Sequence, residues 1–421
     1  MNTVNLPLTA KINAAGHLEI GGCDLLAVAK EFGTPLYVID EATVRSQCQT
    51  YLRSFRTYYP QTELVFASKA LCAVGVAKVI ASEGFGFDVS SGGELFTVMK
   101  AKADPKKICF HGNNKSLKEI EEGIKAGVGR FVVDNQYELA NLASTSERLG
   151  RDVSILVRVN PGIEAHTHEF IQTGRIDSKF GVPLDELAEL VEAVRKTKRL
   201  KLAGFHAHIG SQIFDVEPFI AEAKLLVSLT NKYGTTELSL GGGIGIPYLA
   251  SQQAPNIEEF AKRIAAELNG KTTAKLYLEP GRSIVGQAGV TLYAIGAIRD
   301  IPGIRKYLIV DGGMSDNPRY ILYQAVYEAC LAHNPGAAKT ETITIGGRFC
   351  ESGDLVIKDG KLPPAKVGDL IVVSCTGAYN YSMASNYNRV PRPALVMLNG
   401  GKAKVVVKRE RYEDLIANDA I

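Results

Sequence analysis

Lys69 closes a short β-forming run, Leu64-Val-Phe66-Ala-Ser, and small residues flank it. A cation at the end of an apolar strand is tolerated when it faces water, a partner or a reacting group. It is therefore either a solvated rim lysine or a covalent anchor. Four other stretches carry chemistry by type and spacing. Glu279-Pro-Gly-Arg282 sets an acid beside a base. That is an ion pair, or else a carboxylate for a protonated ring nitrogen with a guanidinium for a phosphate or carboxylate. Gly241-Gly-Gly-Ile-Gly245 follows a strand-like run, and its bare backbone can approach an anion or simply make a tight turn. It lacks the spacing of the dinucleotide fingerprint. His206 and His208, two apart on a strand, share a face. Such a pair can begin a metal site, but no matching set of further ligands follows on later strands, so a core or stacking role is expected and no metal. Cys350-Glu-Ser-Gly-Asp354 offers a thiol beside a carboxylate in a glycine turn, either inert packing or an exposed functional group.

The elements that must position these residues are regular. Strand-like runs stand at 64–68, 85–90, 107–111, 130–134, 153–159, 202–209, 237–240 and 275–279, and helix-like segments such as 116–126, 136–148, 184–196 and 257–268 lie between them. Eight strands alternating with helices predict a (β/α)₈ barrel, with a doubly wound open sheet as the competitor. Barrel chemistry sits at the C-terminal strand ends, which makes Lys69, Asp88, His111, Arg158, His206, Gly241 and Glu279 candidates. Residues 161–183 form a long polar connection of the kind that usually serves function. After about 284 the rhythm changes to strand-like runs with glycine turns, for example 290–298, 306–311, 342–345, 370–374, 394–397 and 404–408. The expected organisation is a barrel over 41–284, with 1–40 and 285–421 forming a mostly antiparallel β-barrel or sandwich domain.

Composition narrows the class. The chain has 421 residues, 46% hydrophobic and 22% charged, with a net charge of +3, which is ordinary for a globular protein. No basic run interleaves with aromatics, so nucleic acid is not expected as a partner. Seven cysteines without CxxC spacing argue for reduced thiols in a cytoplasm. Neither a signal peptide nor a membrane span is expected.

Taken together, Phe66-Ala-Ser-Lys69, His206-Ala-His208-Ile-Gly-Ser211, Gly241-Gly-Gly243, Glu279-Pro-Gly-Arg282, Cys350-Glu351-Ser-Gly-Asp354 and Gly377-Ala-Tyr379 resemble the alanine-racemase-fold pyridoxal-phosphate decarboxylases. The stretches Thr173 to Gly181 and Arg319-Tyr-Ile-Leu-Tyr323 resemble the branch that acts on diaminopimelate, although that branch commonly has Arg-Pro where this chain has Arg319-Tyr. The resemblance implies pyridoxal 5′-phosphate on Lys69, His208 stacked on its ring, and Glu279 at the ring nitrogen. It places Ser211, Gly242, Gly243, Gly281, Arg282 and Tyr379 among the cofactor-binding positions. Arg282, Arg319, Tyr323, Glu351 and Tyr379 become the substrate-binding positions, and Cys350 the proton donor. The implied reaction is loss of CO₂ from meso-2,6-diaminopimelate to give L-lysine, in a homodimer whose chains complete each other's sites. The alternatives are a decarboxylase for ornithine, arginine or carboxynorspermidine, and a catalytically dead binding homologue, which would be expected to lose Lys69 or Cys350.

Overall fold

A computed structural model describes residues 5–163 and 178–420. They divide into two compact units, one of Gln47–Gly245 with Ala254–Ser283, the other of Met1–Ser46, Ile246–Gln253 and Ile284–Ile421.

In the first unit eight parallel strands close into a ring. They are β1 (Thr62–Ala67), β2 (Gly86–Val89), β3 (Ile108–Phe110), β4 (Arg130–Val133), β5 (Val153–Arg158), β6 (Leu200–His206), β7 (Glu237–Ser239) and β8 (Lys275–Leu278). Pairing of Leu276 with Thr62 brings β8 back to β1 and rules out the open sheet. Val65, Cys109, Val132, Leu156, Ala203 and Tyr277, one from each of six strands, form a buried cluster. The strands' N-terminal end is crossed by a fork: Arg130 Nε and Nη2 donate to Glu237 Oε2 and Oε1 at 2.5 and 2.6 Å, and the guanidinium lies 4.7 Å from the Tyr277 ring. Helix ends are fixed locally. Ser116 and Glu119 cap each other reciprocally at the start of Leu117–Ala126, and Gly127 ends that helix in the left-handed region. The middle of the long connection, 164–177, lies outside the described residues, and it includes the first part, 173–177, of the signature stretch. The return of the connection is pinned beside the end of β5: Val182 N–H donates to Arg158 O (2.8 Å) and Gly181 N–H to Asp134 Oδ2 (3.0 Å).

The second unit is built on a nine-stranded sheet, antiparallel except where Leu36–Asp40 pairs with Ala394–Asn399 and Arg305–Val310 with Glu341–Gly346. Leu36–Asp40 also pairs with Gly289–Ile301, so a strand from the N-terminal stretch sits inside this sheet. Successive side chains of a strand face opposite sides. Accordingly Val290, Leu292, Leu370 and Val372 pack in one buried cluster, while Tyr293, Ile295, Ile371 and Val373 pack in another. Both faces are covered, which explains the near-continuous apolar runs. Asp40 caps the following helix as its sequence position suggests, accepting the Thr43 N–H at 3.2 Å. Among the described residues no helix is long and apolar enough to cross a membrane.

Candidate active site

Glu279, just past β8, is the centre of the barrel's polar floor. It is 5% exposed. Its Oε1 faces His111 Nε2 at 3.2 Å and accepts the Ser239 hydroxyl at 2.9 Å, and its Oε2 faces His206 Nε2 at 3.2 Å. Burial alone would raise this carboxyl, but the two imidazoles hold it well below the usual carboxylate range. The histidines divide the work. Burial, only partly offset by Glu279, brings His206 down to about 4, so it stays neutral. His111 is buried too, yet the charges of Asp88 and Glu279 raise it above its ordinary value. Metal-ligating atoms of His111, His206 and Glu279 lie within 4.8 Å of one another, but the 3.2 Å contacts are hydrogen-bond lengths that need no ion.

Lys69 lies on a single 3₁₀ turn, Ser68–Ala70, immediately after β1, and is exposed. Gly281 lets the end of β8 pack under that turn, since a Cβ there would come within 2.9 Å of the Ala67 Cβ. His206 ends β6, while His208 lies beyond the strand and is half-buried. Burial, then the positive charges of Lys69 and Arg158, hold the His208 imidazole well below its ordinary value. The loops after β6 and β7 zip together: Ile213 N–H donates to Gly243 O (3.0 Å) and Gly245 N–H to Ile213 O (2.9 Å). Gly243 has a φ of +119°, and a Cβ on it would lie 2.3 Å from Gly210 O, so only glycine fits. At Gly242 a Cβ would meet Glu279 O at 2.2 Å. Beside these loops Arg282 Nη2 and Nε donate to Ser211 Oγ at 2.9 and 3.3 Å. Hence Lys69, His208, Ser211, Gly242, Gly243, Glu279, Gly281 and Arg282 all gather at the C-terminal ends of the strands. Ser239, His111 and Asp88 join them. Their signal was their place at strand ends, not their type.

The remaining predicted positions lie in the β unit. Cys350 and Glu351 are exposed on a turn that buried Asp354 builds. Its carboxylate accepts the N–H groups of Phe349 (2.7 Å) and Met314 (2.6 Å), and its own N–H donates to Glu351 O (3.0 Å). The Tyr387 hydroxyl donates to Glu351 Oε1 at 2.5 Å. Tyr379 is half-buried with a φ of +63°. Arg319 and half-buried Tyr323 begin and end a one-turn helix, Arg319–Tyr323, in which Tyr320 is accommodated without a proline. Arg319 is 6% exposed. Nη1 donates to the hydroxyls of Tyr248 (3.0 Å) and Tyr327 (2.6 Å). Among the described residues, no acceptor meets Nε or Nη2, and no carboxylate pairs with this buried cation.

A family model described as pyridoxal-dependent decarboxylase, pyridoxal binding domain, matches residues 41–286. A curated diaminopimelate decarboxylase of Synechocystis sp. is 47% identical, over 99% of this chain and 93% of that protein. That of Bacillus subtilis is 43% identical, over 98% of this chain and 97% of its own length. This chain belongs to the diaminopimelate decarboxylase family. A crystal structure from the family, the M. jannaschii enzyme in complex with L-lysine, superposes with a TM-score of 0.92 at 33% identity, covering 98% of each chain. For a diaminopimelate decarboxylase, the barrel's donor set fits pyridoxal phosphate. An amine, an anionic carboxylate, and a guanidinium with a hydroxyl beside close-packed glycines stand at one end of the strands. Two buried oxygens there, Ser68 Oγ beside Lys69 and Asp88 Oδ1, have no hydrogen-bond partner among the described residues.

Proposed function

We propose that this chain decarboxylates meso-2,6-diaminopimelate to L-lysine and CO₂ as a pyridoxal-phosphate-dependent homodimer. The observation that carries the substrate is Arg319, a buried cation with no carboxylate partner and one donor edge without an acceptor among the described residues. A buried charge is stable when it is paired. The substrate's far carboxylate supplies the missing charge through two parallel N–H···O bonds. Glu351, exposed beside Cys350, takes the far ammonium.

Lys69, His208, Ser211, Gly242, Gly243, Glu279 and Arg282 would hold the cofactor, Lys69 covalently. When bound, pyridoxal phosphate supplies an electron sink for the charge left on the α-carbon. Glu279, kept anionic by His111 and His206, stabilises a proton on a facing ring nitrogen. Arg282 with Ser211 neutralises and orients a phosphate, and His208, uncharged, offers a flat face for stacking. Cys350 gives the α-carbon its proton. In the dimer the Cys350–Glu351 turn of each chain serves the barrel of its partner, and Tyr323 and Tyr379 complete the substrate pocket. The seven cysteines form no disulfide, which supports a cytoplasmic location.

Arg319→Ala tests the reading. Loss of a hydrogen bond to a charged group, about 1.5–3 kcal/mol, lowers kcat/KM for meso-diaminopimelate by roughly 10- to 150-fold. Unchanged kcat/KM in a folded variant would remove Arg319 from the substrate site.

A further inference from the structure

Tyr248 and Tyr327 meet Arg319 from two sides. Their rings are edge-to-face, with centroids 5.5 Å apart and planes 84° from parallel. The guanidinium carbon lies 5.0 Å from the first ring centre and 5.6 Å from the second. All three residues are buried, the tyrosines 5% and 4% exposed. Nη1 has two protons, and the two hydroxyls accept them at 3.0 and 2.6 Å. A carboxylate therefore has no end-on approach across Nη1 and Nη2. Its bidentate approach is side-on, across Nε and Nη2, the donors that meet no acceptor among the described residues.

The chemistry of the two partners matters as much as their number. A carboxylate at either position would satisfy Nη1 but cancel the cation. A phenol hydroxyl satisfies the same protons and leaves the full charge for an incoming anion, while the ring faces add cation–π attraction. Burial works against the charged guanidinium, and the hydrogen bonds from Nη1 to the two hydroxyls oppose that penalty.

We propose that Tyr248 and Tyr327 are specificity-determining positioning residues: a neutral hydroxyl collar that fixes the Arg319 plane, so that only a ligand with a distal carboxylate docks well on the Nε–Nη2 edge. This rests on the substrate reading above and adds the groups that make it directional. Neither tyrosine belongs to the motifs that mark the family in this chain, and neither acts on the reacting atoms.

The test uses the full-length holoenzyme with Tyr327→Phe, Tyr248→Phe and the double variant, which keep the ring faces and delete only the hydroxyls. Each single change raises KM for meso-diaminopimelate roughly 3- to 10-fold and leaves kcat within about twofold, the span expected for one hydrogen bond of ordinary net strength. Competitive inhibition supplies a readout that general loosening would not reproduce. L-Lysine keeps a carboxylate at the retained end, and its Ki rises in parallel with KM. Cadaverine has no carboxylate, and its Ki does not move. In an Arg319→Met background Tyr327→Phe adds less than about twofold, because the collar has nothing left to hold. Equal weakening of L-lysine and cadaverine, or an undiminished Tyr327→Phe effect without Arg319, would overturn the collar. If Arg319→Met itself raises KM while both Phe variants match the parent, the collar fails and the substrate reading stands. If Arg319→Met leaves KM unchanged, both fall.

Discussion

Replacing Lys115 by Met leaves a buried carboxylate without its cation. Lys115 follows β3 at the barrel's active end and its side chain is 1% exposed. Nζ donates to Glu138 Oε1 (2.5 Å), Gly112 O (2.8 Å) and Val132 O (2.9 Å), which uses all three of its protons. Burial lowers the lysine and raises the glutamate, each opposed by the other's charge, so neither is comfortable alone. Removing one member of a buried pair costs about 3–5 kcal/mol, whereas replacing both by apolar groups is close to neutral. Lys115→Met should therefore destabilise the barrel's unfolding transition by about 3–5 kcal/mol, and adding Glu138→Leu should restore most of that loss. Because Gly112 O loses its donor as well, the loop carrying His111 is released, and cofactor affinity should fall with stability in the single variant. Urea unfolding followed by circular dichroism gives the first number, and titration of the apoprotein with pyridoxal phosphate the second. A loss below about 1 kcal/mol in Lys115→Met, or a double variant weaker than the single, would refute the electrostatic reasoning.

Three further outcomes are expected. Lys69→Ala should lose both activity and the violet absorbance of the bound cofactor, and borohydride trapping with peptide mapping should label Lys69 in the parent; a label on another lysine would reassign the anchor. Mixing inactive Lys69→Ala with inactive Cys350→Ala should recover activity through hybrid dimers carrying one intact site; no recovery after verified subunit exchange would separate the Cys350 turn from a partner's barrel. Burial, against the Ser90 N–H, pushes the Glu94 carboxyl from 4.5 up to about 7. The folded chain thus holds a proton that the unfolded chain releases, and stability is lost as pH rises through that window. Glu94→Gln should gain on the parent in melting temperature between about pH 4 and pH 8; a constant gap would contradict this.

What could be read from the chain in advance follows from how local each signal is. The eight barrel strands were legible because apolar runs alternate with capped helices, and Ser116, Asn135 and Asp40 announce their helices within three residues. The strands Ala329–Leu331 and Leu355–Leu362 were not: the first is three residues long, and the second carries Lys-Asp-Gly-Lys in its middle. The excursion Ile246–Gln253, whose Ile246 and Tyr248 join the β unit's core, stands between β7 and β8 in the chain, and no local pattern marks its change of unit. In the site, Lys69, Glu279 and Arg282 stood out because charge at an apolar strand end is conspicuous. Tyr248 and Tyr327 did not, since each reads as a core aromatic until Arg319 is seen between their hydroxyls. Both imidazoles lie 3.2 Å from Glu279, so the partition of charge between His111 and His206 turns on Asp88, 3.9 Å from His111, which no spacing reports.

Arg319 selects a substrate with a carboxylate at both ends. The most direct measurement is CO₂ release by the purified holoenzyme from meso-diaminopimelate, ornithine, lysine and arginine under one set of conditions. An arginine left unpaired in a buried pocket penalises the last three by more than the roughly 1–3 kcal/mol of an unsatisfied neutral group. At ~1.4 kcal/mol per factor of ten, meso-diaminopimelate should lead by at least ~10²-fold in kcat/KM, with L-lysine as product. Comparable kcat/KM for ornithine and meso-diaminopimelate would contradict the account.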